Sequence, residues 1–181
     1  ACHMLMAGEV DVAVAGGMES MSQAPHMLFN VRKGYKFGQQ WELKDQLMAS
    51  LYDPMCKLFM AQTAENLAEK YGISREAQDE FALRSHQLGA AAVQSGLFKE
   101  EIVPVEIKRR HEVVGQVEND DHIKPETSIE SLSKLRAAFG KDGTVTAGNA
   151  SGIVDSAAAI VVTKASVAKA NGWKPRARIV G

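Results

Sequence analysis

"GTVTAGNASGIVDSAAAIVV", residues 143–162, decides how this chain is read. Gly148, Asn149, Ser151, Gly152 and Asp155 cluster immediately ahead of the apolar run Ala157–Val162. A near-continuous apolar run of that length suits a strand covered on both faces of an α/β sheet. Small polar residues at the mouth of such a strand can satisfy backbone groups or bind a polar ligand. A phosphate loop is not spelled here, because the Lys-Ser/Thr ending and the GxGxxG spacing are both missing.

Working outward, the same grammar recurs at the start of the chain. Residues 1–7 read as the end of a helix stopped by Gly8, and "VDVAVAGG" (10–17) as a short buried strand. "TVTA" (144–147), "AAAIVV" (157–162) and "RARIV" (176–180) read as strands, with a helical segment over 165–171. Between the two sheet-like pieces lies a polar, mostly helical insert of about 120 residues. It holds a helix over Gln62–Tyr71, with Leu67 and Ala68 on its apolar side and Gly72 as its stop. A second helix is capped by Ser74 and runs toward Ser95, with Ala77, Phe81, Leu88 and Ala92 as its packing stripe. "EIVPVEIK" and "EVVGQV" read as a hairpin whose basic loop, "KRRH" (108–111), is a solvated turn.

Composition narrows the function classes. The 181 residues are 45% hydrophobic and 24% charged with a formal net charge of −1, which describes a folded chain without a basic nucleic-acid footprint. No run approaches the roughly 20 apolar residues of a membrane span. Two cysteines, Cys2 and Cys56, make neither a disulfide framework nor a metal cluster. Both ends read as cut from a longer chain, since there is no initiator Met and the last residues are an apolar, strand-like run.

Few residues nominate themselves for chemistry. A small thiol in a helix, as at Cys2, needs no catalytic role. Cys56 lies beside Lys57, which can lower a thiol pKa, but no base is identifiable and a structural role is the simpler reading. His3, His26, His86, His111 and His122 fall in no metal spacing; His86 reads as lying on an exposed helix face and His111 in the basic turn. In "AGGMESMS" (15–22) the glycines permit close approach, and Glu19, Ser20 and Ser22 can hydrogen-bond a loop; a structural turn accounts for the same letters.

Three longer segments carry a resemblance. "AGGMESMSQAPH" (15–26), "MAQTAENLAEKYGISREAQDEFALRSHQ" (60–87) and "KLRAAFGKDGTVTAGNASGIVDSAAA" (134–159) resemble the thiolase family, in order, and "RARIVG" fits the segment that follows. The resemblance covers essentially the whole chain. It implies an α/β, thiolase-like layered core, present in part, with an inserted, mostly helical loop domain that holds coenzyme A. The implied division is 1–20 as the end of the N-terminal core, 21–142 as the loop domain, 143–173 as the return to that core, and 174–181 as the start of the C-terminal core. The implied chemistry is thiolytic cleavage of a 3-ketoacyl-CoA, or the reverse Claisen condensation, through a cysteine acyl-enzyme.

The resemblance also implies what to expect of individual residues. The nucleophilic cysteine belongs less than three turns before Ala1, and Cys2 does not take its place. The histidine and second cysteine belong beyond Gly181, so no catalytic residue is expected here and the chain alone is expected to be inactive. Leu51, Phe59, Met60, Lys124, Ser131, Phe139, Ala147, Ser151 and Ile153 match positions around the CoA adenine, pantetheine and acyl group. Each of them is also compatible with plain packing, Leu51 and Ile153 above all. Lys124 stands where many relatives have arginine, keeping the charge and losing the bidentate fork. Phe59 stands where acetoacetyl-CoA-type relatives carry histidine, which points to a broader range of chain lengths. Val154 and Ser156 replace Asn and Gly of many relatives, and Ser156 adds bulk at a close-packed position.

The implied ligand is CoA as substrate, with no covalently bound cofactor and no metal. The implied partners are small acyl-CoA molecules, with no nucleic acid and no membrane span. A homodimer or homotetramer is expected, "NVRKGYKFG" (30–38) resembling the loop that joins dimers. The expected location is the bacterial cytoplasm, or the mitochondrial or peroxisomal matrix in a eukaryote. The competing reading is a non-catalytic CoA-binding or scaffold protein of the same fold.

Overall fold

The structure, a computed structural model, describes residues 1–180. It divides into two compact units, one made of Ala1–Ala24 with the chain from Val154 onward, the other of Pro25–Ile153.

In the first unit, α1 (Cys2–Ala7) ends on Gly8 at φ 77°, a left-handed residue whose N–H returns to the Leu5 carbonyl. The chain then forms β1 (Val12–Ser20). The described residues of this unit include one partner for it, a long antiparallel strand over Asp155–Thr163, in register from Val12 opposite Thr163 to Ser20 opposite Asp155. Gly16 is required there, since a Cβ would lie 2.5 Å from the Ala158 carbonyl oxygen. The expectation of strands covered on both faces is not met. The pair is two-stranded, and Val14, Met18, Ile160 and Val161 are exposed. An apolar run states a demand for burial without naming what covers it. A short helix over Ala165–Ala170 follows, with Ala168 buried. "RARIV" forms no strand: among the described residues, 176–180 have no ladder partner; Gly181 lies outside them.

The second unit opens with two small strand pairs. β2 (His26–Leu28) pairs antiparallel with β3 (Leu43–Asp45), whose Asp45 caps α2 (Gln46–Ser50) by accepting from Leu47 N. β4 (Tyr52–Asp53) pairs with β5 (Leu58–Phe59). The chain runs directly from Phe59 into α3 (Met60–Tyr71), which stops at Gly72, φ 64°. Ser74 caps α4 (Arg75–Gln94), accepting from Ala77 N. β6 (Val105–Arg109) and β7 (Glu112–Val117) form the hairpin, with a register shift at Ile107/Lys108. Its turn is Arg110–His111, so Lys108 and Arg109 belong to the strand rather than to the loop. The five-residue α5 (Ile129–Ser133) is closed by a Ser128/Ser131 capping box. In the first unit, the strand Asp155–Thr163 opposite β1 is β8 and the helix Ala165–Ala170 is α6.

The core of the second unit sits where α3, α4, α5 and residues 144–149 meet: Ala68, Asp79, Ala82, Leu132, Val145 and Thr146 are its buried residues. Two expectations change here. The α4 stripe of Ala77, Phe81, Leu88 and Ala92 is not the packing face, for Phe81 is 69% exposed, whereas Asp79 is 2% exposed. Polar contacts to residues 144–149 turn the other side of the helix inward. "TVTA" is likewise not a strand. Its backbone N–H groups are taken instead by side chains, Thr144 and Val145 donating to Glu65 of α3 and Thr146 to Asn149, with Thr146 wholly buried.

Candidate functional site

Residues 144–149 are held by side chains from two helices. Along α3, Glu65 points its carboxylate at the next segment, where it accepts from Thr144 N at 2.9 Å through each oxygen. It also accepts from Thr144 Oγ1 at 2.8 Å and from Val145 N at 2.8 Å. Partial burial of Glu65 pushes its pKa up, but the hydrogen bonds from Val145 and Thr144 outweigh it and hold the group below the usual glutamate value. From α4, Gln78 Nε2 donates to Thr144 Oγ1 at 2.9 Å. Asn149 accepts from Thr146 N at 2.7 Å and donates to Thr144 O and to Asp79 Oδ1 at 3.0 and 2.9 Å. Asn149 is therefore spent on folding its own turn.

Around this turn the residues matched by resemblance fall into two groups. The first is an apolar ledge. Leu51 and Phe59 are half-buried and joined across the β4–β5 end, where Met60 N donates to Leu51 O at 3.3 Å. The Phe59 ring lies 5.3 Å from Tyr52, edge-on, and 6.1 Å from Phe139. Offset and tilted aromatic pairs of this kind hold a surface rigidly. Met60 is exposed beside them.

The second group is polar and lies along the 147–153 segment and the elements packed on it. Gly148 sits against α5, where a Cβ would come within 2.6 Å of Leu132 Cδ2 and 2.5 Å of Leu135 Cδ1. That brings Ala147 to the neighbourhood of the Ser131 helix. The Ser131 hydroxyl donates to Ser128 O at 2.8 Å and accepts from Ser128 N at 3.1 Å, so it is engaged in its cap. At Gly152 the imidazole of His122 occupies the place a Cβ would take. This packs the loop bearing Lys124 against the segment bearing Ser151 and Ile153, all three of them exposed. Lys124 N donates to His86 Nδ1 at 3.2 Å and Lys124 Nζ to Asp121 O at 2.8 Å. His86 is thus a half-buried acceptor facing this loop, rather than a residue on an open helix face. The two groups are linked at Ala138, whose N–H donates to Val145 O at 2.9 Å next to Phe139.

Glu65 and Asp79 are not singled out by the sequence, and His122 only as a histidine in no metal spacing. No spacing marks them, and their importance comes from partners 79, 70 and about 30 residues away in the chain. The cleft of about 490 Å³ between α3 and residues 139–144 takes in only Phe139 from the matched set. Glu65, Glu69 and Asp142 line it, a poor setting for a nucleotide phosphate.

The two cysteines are in different units. Cys2 is half-buried in α1 and Cys56 exposed in the β4–β5 turn, where its N–H donates to Asp53 Oδ1 at 3.4 Å. Ser20 and Ser22, by contrast, have a partner in their own unit: Asp155 accepts from Ser22 N at 2.8 Å and from both hydroxyls. Among the described residues no three His, Cys, Asp or Glu side chains are placed to hold a metal ion, and no helix is long and apolar enough to cross a membrane.

A chain with these helices and strand pairs belongs to a known class. Residues 1–166 match the family "Thiolase, N-terminal domain". Among proteins of known name, the chain is 46% identical over 181 residues to the mitochondrial 3-ketoacyl-CoA thiolase of Mus musculus, covering 99% of this chain and 45% of the mouse protein. It is also 46% identical to the acetyl-CoA acetyltransferase of Allochromatium vinosum, covering 99% of this chain and 46% of that one. Among solved structures, human mitochondrial 3-ketoacyl-CoA thiolase in complex with CoA superposes with a TM-score of 0.87 at 44% identity, over 96% of this chain and 43% of that one. The chain belongs to the thiolase family and has the thiolase fold in part. It spans about 45% of the length of the curated relatives it matches.

Proposed function

We propose that residues 25–153 form the CoA-binding part of an acyltransferase that exchanges acyl groups between CoA thioesters. In the degradative direction, a 3-ketoacyl-CoA and CoA give a shortened acyl-CoA and acetyl-CoA; the reverse is a Claisen condensation. The observation that carries this reading is the meeting of the Phe59 and Phe139 rings at 6.1 Å, with Leu51 and Met60 at the Phe59 end and Ala138 joining Phe139 to the 144–153 segment. It is supported by a relative solved with CoA at 44% identity.

The chemistry of the two groups suits the two ends of such a ligand. A pantetheine arm alternates amides with short apolar stretches, for which Ser151 and free backbone groups, and the ledge, are the respective partners. Lys124 supplies a cation for the nucleotide end as a point charge. Phe59, packed between Tyr52 and Phe139, gives an apolar floor in place of an imidazole, which favours 3-ketoacyl chains longer than acetoacetyl. Neither Cys2 nor Cys56 is assigned the nucleophile's role, and CoA acts as substrate rather than as a bound cofactor. The expected assembly is a homodimer or homotetramer, with the Asn30–Gly38 segment at the contact between dimers.

The test is thiolysis of acetoacetyl-CoA and of a longer 3-ketoacyl-CoA by the protein that carries this chain, followed by acetyl-CoA release. Turnover with preference for the longer substrate is expected. Tight CoA binding without turnover of either substrate would favour a non-catalytic scaffold instead, and neither binding nor turnover overturns the reading.

A further inference from the structure

We propose that Asp79 is a positioning residue for the CoA wall, a single buried carboxylate that sets the Ser131 helix and the Ala147–Ile153 segment in register. This rests on the reading that those two elements line the CoA channel. Asp79 is 2% exposed. Its two oxygens are divided between two partners. Oδ1 accepts from Asn149 Nδ2 at 2.9 Å, and Oδ2 accepts from Arg75 Nε at 2.9 Å.

Each partner then reaches one side of the wall. Arg75 carries a terminal nitrogen to Leu132 O at 2.6 Å and Leu135 O at 3.1 Å, the carbonyls at the end of α5. Asn149 closes the 144–149 turn, two residues before Ser151. The chain of contacts is therefore α5, Arg75, Asp79, Asn149 and the turn. Gly148 packed on Leu132 and Leu135 completes the loop from the apolar side. No side-chain N or O atom buried among the described residues lacks a partner. A fully satisfied buried network has one low-energy arrangement, so it fixes the two elements at one separation.

The asymmetry of a carboxylate is essential to this role. Both neighbours are donors, and both oxygens of Asp79 accept. In Asp79→Asn the amide nitrogen must face one of the two donors, so one link is lost and a donor is left without an acceptor. The helix itself survives, since the substitution is isosteric and α4 keeps its Ser74 cap.

The experiment compares CoA with adenosine 3′,5′-bisphosphate, which lacks the pantetheine arm, by calorimetric titration into the wild-type protein and Asp79→Asn, alongside thermal unfolding. CoA affinity is expected to fall about tenfold, the value of one hydrogen bond to a charged group, while bisphosphate affinity stays within about twofold. In a double-mutant cycle of Asp79→Asn with Asn149→Ala, the combined loss of CoA affinity is expected to fall well short of the sum of the two single losses, because both substitutions cut the same link. Unchanged CoA affinity in Asp79→Asn overturns the proposal. Equal losses for both ligands, with the two substitutions additive, also overturn it, since general loosening of the unit would do the same. Failure of the wild-type protein to bind CoA overturns the reading beneath it instead.

Discussion

The bonds from Glu65 to residues 144–145 make a quantitative prediction. Removing the carboxylate in Glu65→Ala leaves Thr144 N and Val145 N without their acceptor, and Val145 is buried. A buried donor left unpaired costs about 1–3 kcal/mol, so the two together cost about 4 kcal/mol with the Thr144 hydroxyl included. Glu65→Gln is gentler. Its amide oxygen can still accept from the two backbone groups, and its nitrogen can donate to Thr144 Oγ1, leaving mainly the loss of charge assistance, about 2 kcal/mol. For a chain of this size that corresponds to a fall in Tm of about 4–8 °C for Glu65→Gln. Urea unfolding followed at several pH values supplies a second, independent readout. The native pKa of Glu65 is depressed below its unfolded value, so its contribution is complete above about pH 4.3 and is lost as pH falls through the native value. The difference between wild type and Glu65→Gln should accordingly be full at pH 7 and shrink in acid, where the protonated carboxyl resembles the amide. Equal stability at pH 7, or a gap that persists unchanged below pH 3, would refute the reasoning. The Gln variant keeps the test intact even where the Ala variant does not fold.

Three further outcomes follow from single contacts. Gly152→Ala forces the His122 ring out of the place the new Cβ takes, for a loss of about 1–3 kcal/mol by urea unfolding; His122→Ala in the same chain should recover most of it, and additivity of the two changes would contradict the packing. Ser74→Ala removes the α4 cap and should cost about 1 kcal/mol in the same assay, whereas no loss would mean that Ala77 N finds another acceptor. The Asp155 carboxyl, held low chiefly by the Ser22 hydroxyl and then by the Ser22 N–H, should titrate below the ordinary aspartate value by NMR. Its pKa should rise toward that value in Ser22→Ala, and no rise would assign the shift elsewhere.

Much of the fold was legible where the cause is local. Gly8 and Gly72 end their helices in left-handed conformation, Ser74 caps α4, and the hairpin around Arg110–His111 follows from two short β-rich runs. The errors arose where a partner distant in sequence decides. Residues 144–147 alternate like a strand, yet Glu65 and Asn149 take the backbone N–H groups a ladder would have used. Phe81 and Leu88 mark an apolar stripe on α4, but Asp79 draws the opposite side inward through Asn149. The candidate site was legible as a family pattern more than as physics. Nothing local in "DPMCKLFM" or "KLRAAFG" shows that Phe59 and Phe139 meet at 6.1 Å. Ser131 shows the converse limit, since a hydroxyl suited to a ligand is already engaged in a helix cap.

The central claim, that the aromatic ledge and the 147–153 wall together hold CoA, is tested most directly by mapping backbone amide shifts on titration with CoA. The account predicts a saturable response concentrated at Leu51, Phe59, Met60, Phe139, Ala147, Ser151 and Ile153, with Lys124 and Ser131 following. A response confined to the cleft beside Glu69 and Asp142, or none at saturating CoA, would contradict it.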